Sequence, residues 1–197
     1  MLIPVKDFRQ AKARLSGVLS PDQRIRLARW TADQVVAAAA PLPVFVACDD
    51  TDVAEWAEAS GATVLWRPGM GLNAAVGDGI ATLAAAGIEH VVVAHSDLAR
   101  PSPLASLVMV GGIVLVPDTN DDGTNVVAVQ TSVGFQPAYG SQSFRRHLTH
   151  ALTLGVPVRV QRDVNLALDI DTPADLAHPL VAKVLPAWLQ TNPDNQP

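Results

Sequence analysis

A single cysteine, Cys48, is all the thiol the chain contains. That excludes an internal disulfide and any cysteine-rich zinc site. It lies in Pro43-Val44-Phe45-Val46-Ala47-Cys48, where a small buried filler is expected. No apolar run reaches the length of a membrane span. The first residues carry Lys6 and Arg9 but no long apolar core or cleavage site, so no signal peptide is read there and a reducing cytoplasm is expected. Positive charge is scarce: 14 Lys and Arg stand against 19 Asp and Glu, for a net charge of -5 and a pI near 5.4. This argues against nucleic acid as a partner. The five histidines (90, 95, 147, 150, 178) have no metal-ligand spacing, and no serine-histidine-acid order points to a hydrolase. Repeats and internal linkers are also missing.

What is present is an apolar fraction of 49% over 197 residues, with 17% charged, enough for one domain with a substantial core. Residues 1–190 are read as that domain and the polar, proline-containing 191–197 as a flexible tail. Short β-branched runs (Leu2 to Val5, Val44 to Ala47, Thr63 to Trp66, Val91 to Ala94, Ile113 to Val116, Asn125 to Val129, Val156 to Val160) alternate with helical stretches. The clearest helix, Pro21 to Ala40, follows a Ser20…Gln23 capping box. Asp52 to Ser60, Leu72 to Ala86 and Ser141 to Leu154 each stop at a glycine. This rhythm predicts an α/β fold with three layers and a mostly parallel central sheet, its ligands beyond the carboxyl ends of the strands.

The chemistry concentrates in Asp169-Ile170-Asp171-Thr172-Pro173. Alternation along an extended chain points Asp169 and Asp171 to one side, and two acids aimed together favour a hard divalent cation between them. Thr172-Pro173 reads as an N-cap with proline at the first helical position. Asp97 ends another apolar run in a comparable place. Half of the basic residues (Lys6, Arg9, Lys12, Arg14, Arg24, Arg26, Arg29) fall within the first thirty positions, suiting a small polyanion. For Arg24, Arg26 and Arg29 a solvated helix face serves equally well. The loop from Pro4 to Ser16 could clamp a triphosphate, although it lacks the glycine framework of a Walker loop. Gly69-Met70-Gly71-Leu72-Asn73-Ala74 fits G-x-G-x-x-A, yet the acid a dinucleotide fold needs about twenty residues on is missing, because position 93 is Val. Gly140, Ser141 and Ser143 at a helix start offer backbone N–H groups and hydroxyls to an anion. Pro117 to Gly123 reads as a polar turn whose acids face solvent.

Taken in order, Pro4-Val5-Lys6, Ala11-Lys12-Ala13-Arg14-Leu15-Ser16, Gly71-Leu72-Asn73, Asp97-Leu98, Gly123-Thr124-Asn125, Tyr139-Gly140-x-x-Ser143-Phe144-x-x-His147 and Asp169-Ile170-Asp171-Thr172-Pro173 span nearly the whole chain. They resemble the guanylyltransferases that make the activated phospho-acid precursor of the deazaflavin coenzyme F-420, small relatives of the molybdenum-cofactor guanylyltransferase fold. The resemblance implies that GTP and a small phosphorylated carboxylic acid give a guanylylated acid and pyrophosphate. That acid is phosphoenolpyruvate, 2-phospho-L-lactate or 3-phospho-D-glycerate in different members. It implies Mg2+ on Asp97, Asp169 and Asp171, and acid-substrate contacts at Thr124, Gly140 and Ser143. The nucleotide would meet Pro4, Val5, Lys6, Lys12, Arg14, Gly71, Leu72 and Asn73, with Lys6, Lys12, Arg14 and Asp97 acting in catalysis. Two departures stand out: Ala13 where Thr or Ser is common, and Ala99 in place of the proline of Asp-Leu-Pro. The alanine- and valine-rich composition inclines the substrate toward phosphoenolpyruvate. An NAD-dependent oxidoreductase using Gly69 to Ala74 and a non-catalytic nucleotide-binding module stay open. A homodimer does too, with four tryptophans (30, 56, 66, 188) available to an interface.

Overall fold

The computed structural model describes residues 1–108 and 111–190, so the tail expected at 191–197 lies outside the described residues. Seven strands form one sheet: β1 (Leu2–Pro4), β2 (Phe45–Cys48), β3 (Thr63–Trp66), β4 (His90–Ala94), β5 (Ile113–Pro117), β6 (Thr124–Gln130) and β7 (Val158–Val160). Their order is β3-β2-β1-β4-β6-β5-β7. β6 is antiparallel to both neighbours, and the remaining pairs are parallel. The helices are α1 (Pro21–Ala38), α2 (Thr51–Ala59), α3 (Leu72–Ala85), α4 (Ser143–Thr153) and α5 (Pro173–Ala177), followed by two shorter turns of helix.

Strand alternation builds the layers. Ile3, Val46, Val92, Val114 and Val126 face α1 and α2 through Ala28, Ala32, Val35, Val53 and Trp56. Their neighbours Leu2, Ala47, Val93, Leu115 and Val127 face α3 and α4 through Val76, Ile80, Leu83 and Phe144. A sheet covered on both faces needs apolar residues at consecutive positions, which is why these strands read as unbroken β-branched runs. Of the four tryptophans, Trp30, Trp56 and Trp188 join the cores, while Trp66 is 42% exposed at the edge strand β3.

Boundaries depart from expectation where backbone chemistry intervenes. α4 begins at Ser143 rather than Ser141 because Gly140 (φ 114) and Gln142 (φ 55) are left-handed. β7 starts at Val158 because Pro157 has no N–H to donate. α1 ends at Ala38, ahead of Pro41. The expected capping box of Ser20 with Gln23 forms, and the expected N-cap Thr172 forms a second one with Asp175.

The site is placed by topology. From β1 the chain winds outward to β2 and β3, then returns to lay β4 on the other side of β1, so the winding direction reverses between β1 and β4. Open α/β sheets bind ligands at such a switch point, beyond the carboxyl ends of the strands. Because β6 alone runs the other way, its first residues, Thr124 and Asn125, reach the same edge as the ends of β1 and β4.

Candidate active site

Asp97, Asp169 and Asp171 converge at that edge, each offering a carboxylate oxygen within 4.8 Å of the others. Two short backbone segments hold them. Leu98 and Asp169 form an antiparallel bridge, Ala99 N donates to Leu168 O (2.9 Å) and Ile170 N donates to Asp97 O (3.1 Å). Leu168, Ile170 and Ala99 are buried in a third apolar cluster with Leu15, Leu27 and Val181. With Ile170 anchored inward, alternation turns Asp169 and Asp171 outward together. Asp175, in the first turn of α5, accepts hydrogen bonds from Asp171 N (2.9 Å), Thr172 N (2.7 Å) and Thr172 Oγ1 (2.9 Å), which fixes the second acid's backbone. Asn125 is buried and donates to Leu166 O (3.0 Å) and Asp169 Oδ1 (3.4 Å).

Burial and neighbouring charges shift the protonation of these acids in opposite directions. Burial, then Asp97 and Asp171, push the Asp169 carboxyl up to about 7 against a weaker opposing bond from Asn125. Burial also pushes Asp97 upward, but Lys12 and His95 outweigh it and hold that carboxyl below its ordinary value. Lys12 Nζ lies 3.3 Å from Asp97 Oδ2 and 3.4 Å from Asp171 Oδ1, with its side chain only 4% exposed. A left-handed backbone at Lys12 (φ 56) aims the side chain there. An all-oxygen donor set of clustered carboxylates, one of them reluctant to ionise alone, is what a hard divalent cation fits.

Two cavities meet at the cluster. The smaller, about 180 Å³, is bounded by Pro4, Val5, Lys6, Lys12, Leu72 and Asp97. The larger, about 850 Å³, runs past Arg14, Thr124, Gly140, Ser143, Asp169 and Asp171. His95, Asp97 and Asp171 border both. Thr124 and Ser143 are buried in the wall of the larger cleft, where Thr124 N donates to Ser143 Oγ (2.9 Å). Gly140 opens this wall: a Cβ there would come within 3.3 Å of Arg146 Nη2, and its φ favours glycine.

The expected residues thus fall into four groups. Lys12, Asp97, Asp169 and Asp171 are in direct contact or within ligand distance. Pro4, Val5, Lys6 and Leu72 line the small cavity, and Arg14, Thr124, Gly140 and Ser143 line the large one. Gly71 and Asn73 border neither. Gly71 caps α3, and the Asn73 side chain accepts from Tyr139 N (2.6 Å) and donates to Tyr139 O (3.3 Å), tying α3 to the turn before α4. The helix-start reading needs correction at three N–H groups: Gln142 N is taken by Asp122 Oδ1, Ser143 N by Gly140 O and Phe144 N by Asp122 O. Arg26 lies over Trp188 and Arg29 over Phe8, on α1 rather than in the cleft. The Pro117–Gly123 segment is the expected turn, but its acids do not all face solvent: the half-buried Asp118 carboxylate accepts from Asn120, Asp122 and Gly123 N–H groups, and Asp118 and Asp122 border the large cleft. The G-x-G-x-x-A turn follows an edge strand, β3, and Val93 is core, so no acid stands where a dinucleotide ribose would need one. Asn125, Asp175 and His147 escaped a role in the sequence reading. A polar residue opening an otherwise apolar strand was the signal for Asn125.

Residues 1–182 match the family described as Guanylyl transferase CofC like. A phosphoenolpyruvate guanylyltransferase of Sphaerobacter thermophilus is 35% identical over 184 residues, covering 89% of each chain. A 3-phospho-D-glycerate guanylyltransferase of Phenylobacterium zucineum is 32% identical over 187 residues, covering 88% of this chain and 86% of its own. Among solved structures, a Methanothermobacter nucleotidyl transferase superposes with a TM-score of 0.67 at 15% identity, over 97% of both chains, a likeness of fold.

Proposed function

The chain belongs to the CofC-like guanylyl transferase family, and on that basis we propose that it transfers GMP from GTP to the phosphate of phosphoenolpyruvate, releasing pyrophosphate, in coenzyme F-420 biosynthesis. The observation carrying this reading is the convergence of three aspartates and Lys12 between a small cavity behind Pro4-Val5-Lys6 and a polar cleft at Thr124 and Ser143. One cavity suits the nucleotide and the other the acid, with the acids at their junction.

Asp97, Asp169 and Asp171 would hold Mg2+, which when bound supplies Lewis-acid polarisation of a phosphoryl oxygen and offsets its charge. The chain's own residues do the rest. Lys6, Lys12 and Arg14 are the cations available to a departing pyrophosphate, and in-line displacement depends mainly on such positioning and charge stabilisation. Lys12 would exchange its bonds with Asp97 and Asp171 for phosphate oxygens as the acids take a cation. Thr124, Gly140 and Ser143 would position the phospho-acid. Its phosphate is already largely ionised near neutral pH, so a general base is not required.

Phosphoenolpyruvate is preferred to 3-phospho-D-glycerate because of the higher identity to the Sphaerobacter relative. The test is GTP and Mg2+ incubated with phosphoenolpyruvate, 2-phospho-L-lactate and 3-phospho-D-glycerate in parallel, following pyrophosphate. Release is expected with phosphoenolpyruvate first; silence with all three would overturn the proposal.

A further inference from the structure

His147 is fully buried on α4, against the rings of Phe135 and Tyr139 at 5.3 and 4.8 Å. Both ring nitrogens are engaged. The Ala138 backbone N–H donates to Nε2 at 2.7 Å, and Nδ1 lies 2.9 Å from Thr124 Oγ1. A backbone N–H can only donate, so Nε2 carries a lone pair. Burial, then Arg146, His95 and His150 nearby, hold the imidazole pKa down to about 4, so the ring is neutral at working pH. Its one proton therefore sits on Nδ1, which donates to Thr124 Oγ1.

The consequence passes to the hydroxyls. Having accepted from Nδ1, Thr124 Oγ1 must aim its own hydrogen elsewhere, and Thr124 lines the large cleft. Ser143 Oγ likewise accepts from Thr124 N, which leaves its hydrogen free. Among the described residues neither hydroxyl has a further acceptor. Two hydroxyl oxygens held by the bonds they accept, each with its hydrogen still to donate, are suited in a cleft wall to an anionic oxygen.

We propose that His147 is a positioning residue for the acid substrate: as the Nδ1–H tautomer it turns the Thr124 hydroxyl, alongside that of Ser143, into a donor pair for a carboxylate or phosphate oxygen of the phospho-acid. The ligand's identity rests on the guanylyl-transfer reading above, whereas the tautomer follows from contacts within the chain. His147 could instead be a prop for the 138–139 turn, and two substitutions separate these roles. His147→Asn keeps a donor near the Nδ1 position but does not reach Ala138. His147→Gln reaches toward Ala138 and abandons Thr124.

The first measurement is the imidazole ¹⁵N–¹H correlation spectrum of the substrate-free protein near pH 7.5. The signal absent from His147→Asn is expected to have a protonated Nδ1 and a bare Nε2; an Nε2–H tautomer or an imidazolium would overturn the proposal. The second is steady-state kinetics. His147→Gln is expected to raise KM for phosphoenolpyruvate about tenfold, the loss of one charge-assisted hydrogen bond, with KM for GTP unchanged and His147→Asn within about threefold of wild type. The reverse order, or equal losses for both substrates, would make His147 a prop and overturn it. A wild-type protein that releases no pyrophosphate with any acid would sink the guanylyl-transfer reading instead, and the tautomer is still decided by the spectrum.

Discussion

Lys12 meets opposing demands at a single residue: a left-handed backbone, a buried ammonium, and two carboxylates at 3.3 and 3.4 Å. Deleting the ammonium leaves the acids facing one another without a counter-charge. Because Asp97 and Asp171 are 23% and 42% exposed, solvent screens much of that repulsion. Lys12→Met is therefore expected to lower the stability of metal-free protein by about 1–2 kcal/mol, below the range for a fully buried pair. Saturating Mg2+ should shrink the loss, as read by urea unfolding with and without the ion. Equal losses would mean that Lys12 and the cation do not share the acids. On the proposed metal assignment, Asp97→Asn removes a ligand charge while keeping the shape, so kcat should fall by about 10³ with the circular dichroism spectrum unchanged. Near-normal turnover would remove the metal assignment. His147 gives a pH dependence whose sign is determined. Its folded pKa, about 4, lies below the ordinary 6.5, so the unfolded chain binds the proton first. Above pH 6.5 nothing changes; from 6.5 down to about 4, stability falls as acid is added. The wild type should lose about 2 kcal/mol more than His147→Gln between pH 7.5 and 5.

At the scale of elements, the two short segments 97–99 and 168–171 matter more than any strand. Their relation was half legible. Alternation in Asp169-Ile170-Asp171 announced a shared direction, and Thr172-Pro173 announced a helix start. Nothing local could announce that Leu98 pairs with Asp169 or that Asn125 reaches the same carboxylate, since both are contacts between distant stretches of chain. Strand direction was equally hidden. The reversal of β6 leaves no mark on hydrophobic periodicity, yet it is what delivers Thr124 and Asn125 to the acids. The left-handed turn at 140–142 shifted a helix start by two residues because Gln142 gives no glycine-like warning. Asp175 ties α5 to the site by accepting from three donors around Asp171 and Thr172. Asp175→Ala should cost about 1–2 kcal/mol as a lost cap and weaken Mg2+ binding several-fold, measurable by titration calorimetry. A stability loss with unaltered Mg2+ affinity would show that Asp171 needs no such tether.

For the whole molecule, the choice between a nucleotidyl-transfer site and a dinucleotide site is a question of which strand ends carry the ligand. The glycine-rich turn sits on β3, at the sheet's edge, while the acids and the basic segment meet at the reversal between β1 and β4. A ligand bound at the reversal touches segments from the first, middle and last thirds of the chain, so its binding energy should appear as stability of the entire fold. A ligand held at a hundred times its Kd stabilises by about 2.7 kcal/mol. For a domain of this size, that corresponds to a rise in Tm of roughly 5–10 °C. GTP with Mg2+ at such concentrations is expected to give that rise in a thermal melt. GTP with chelator should give a smaller one, because the three acids then repel the triphosphate. NADH should give none, since Val93 supplies no partner for its ribose. A rise with NADH equal to that with GTP and Mg2+ would move the binding site to β3 and detach the acid cluster from nucleotide recognition.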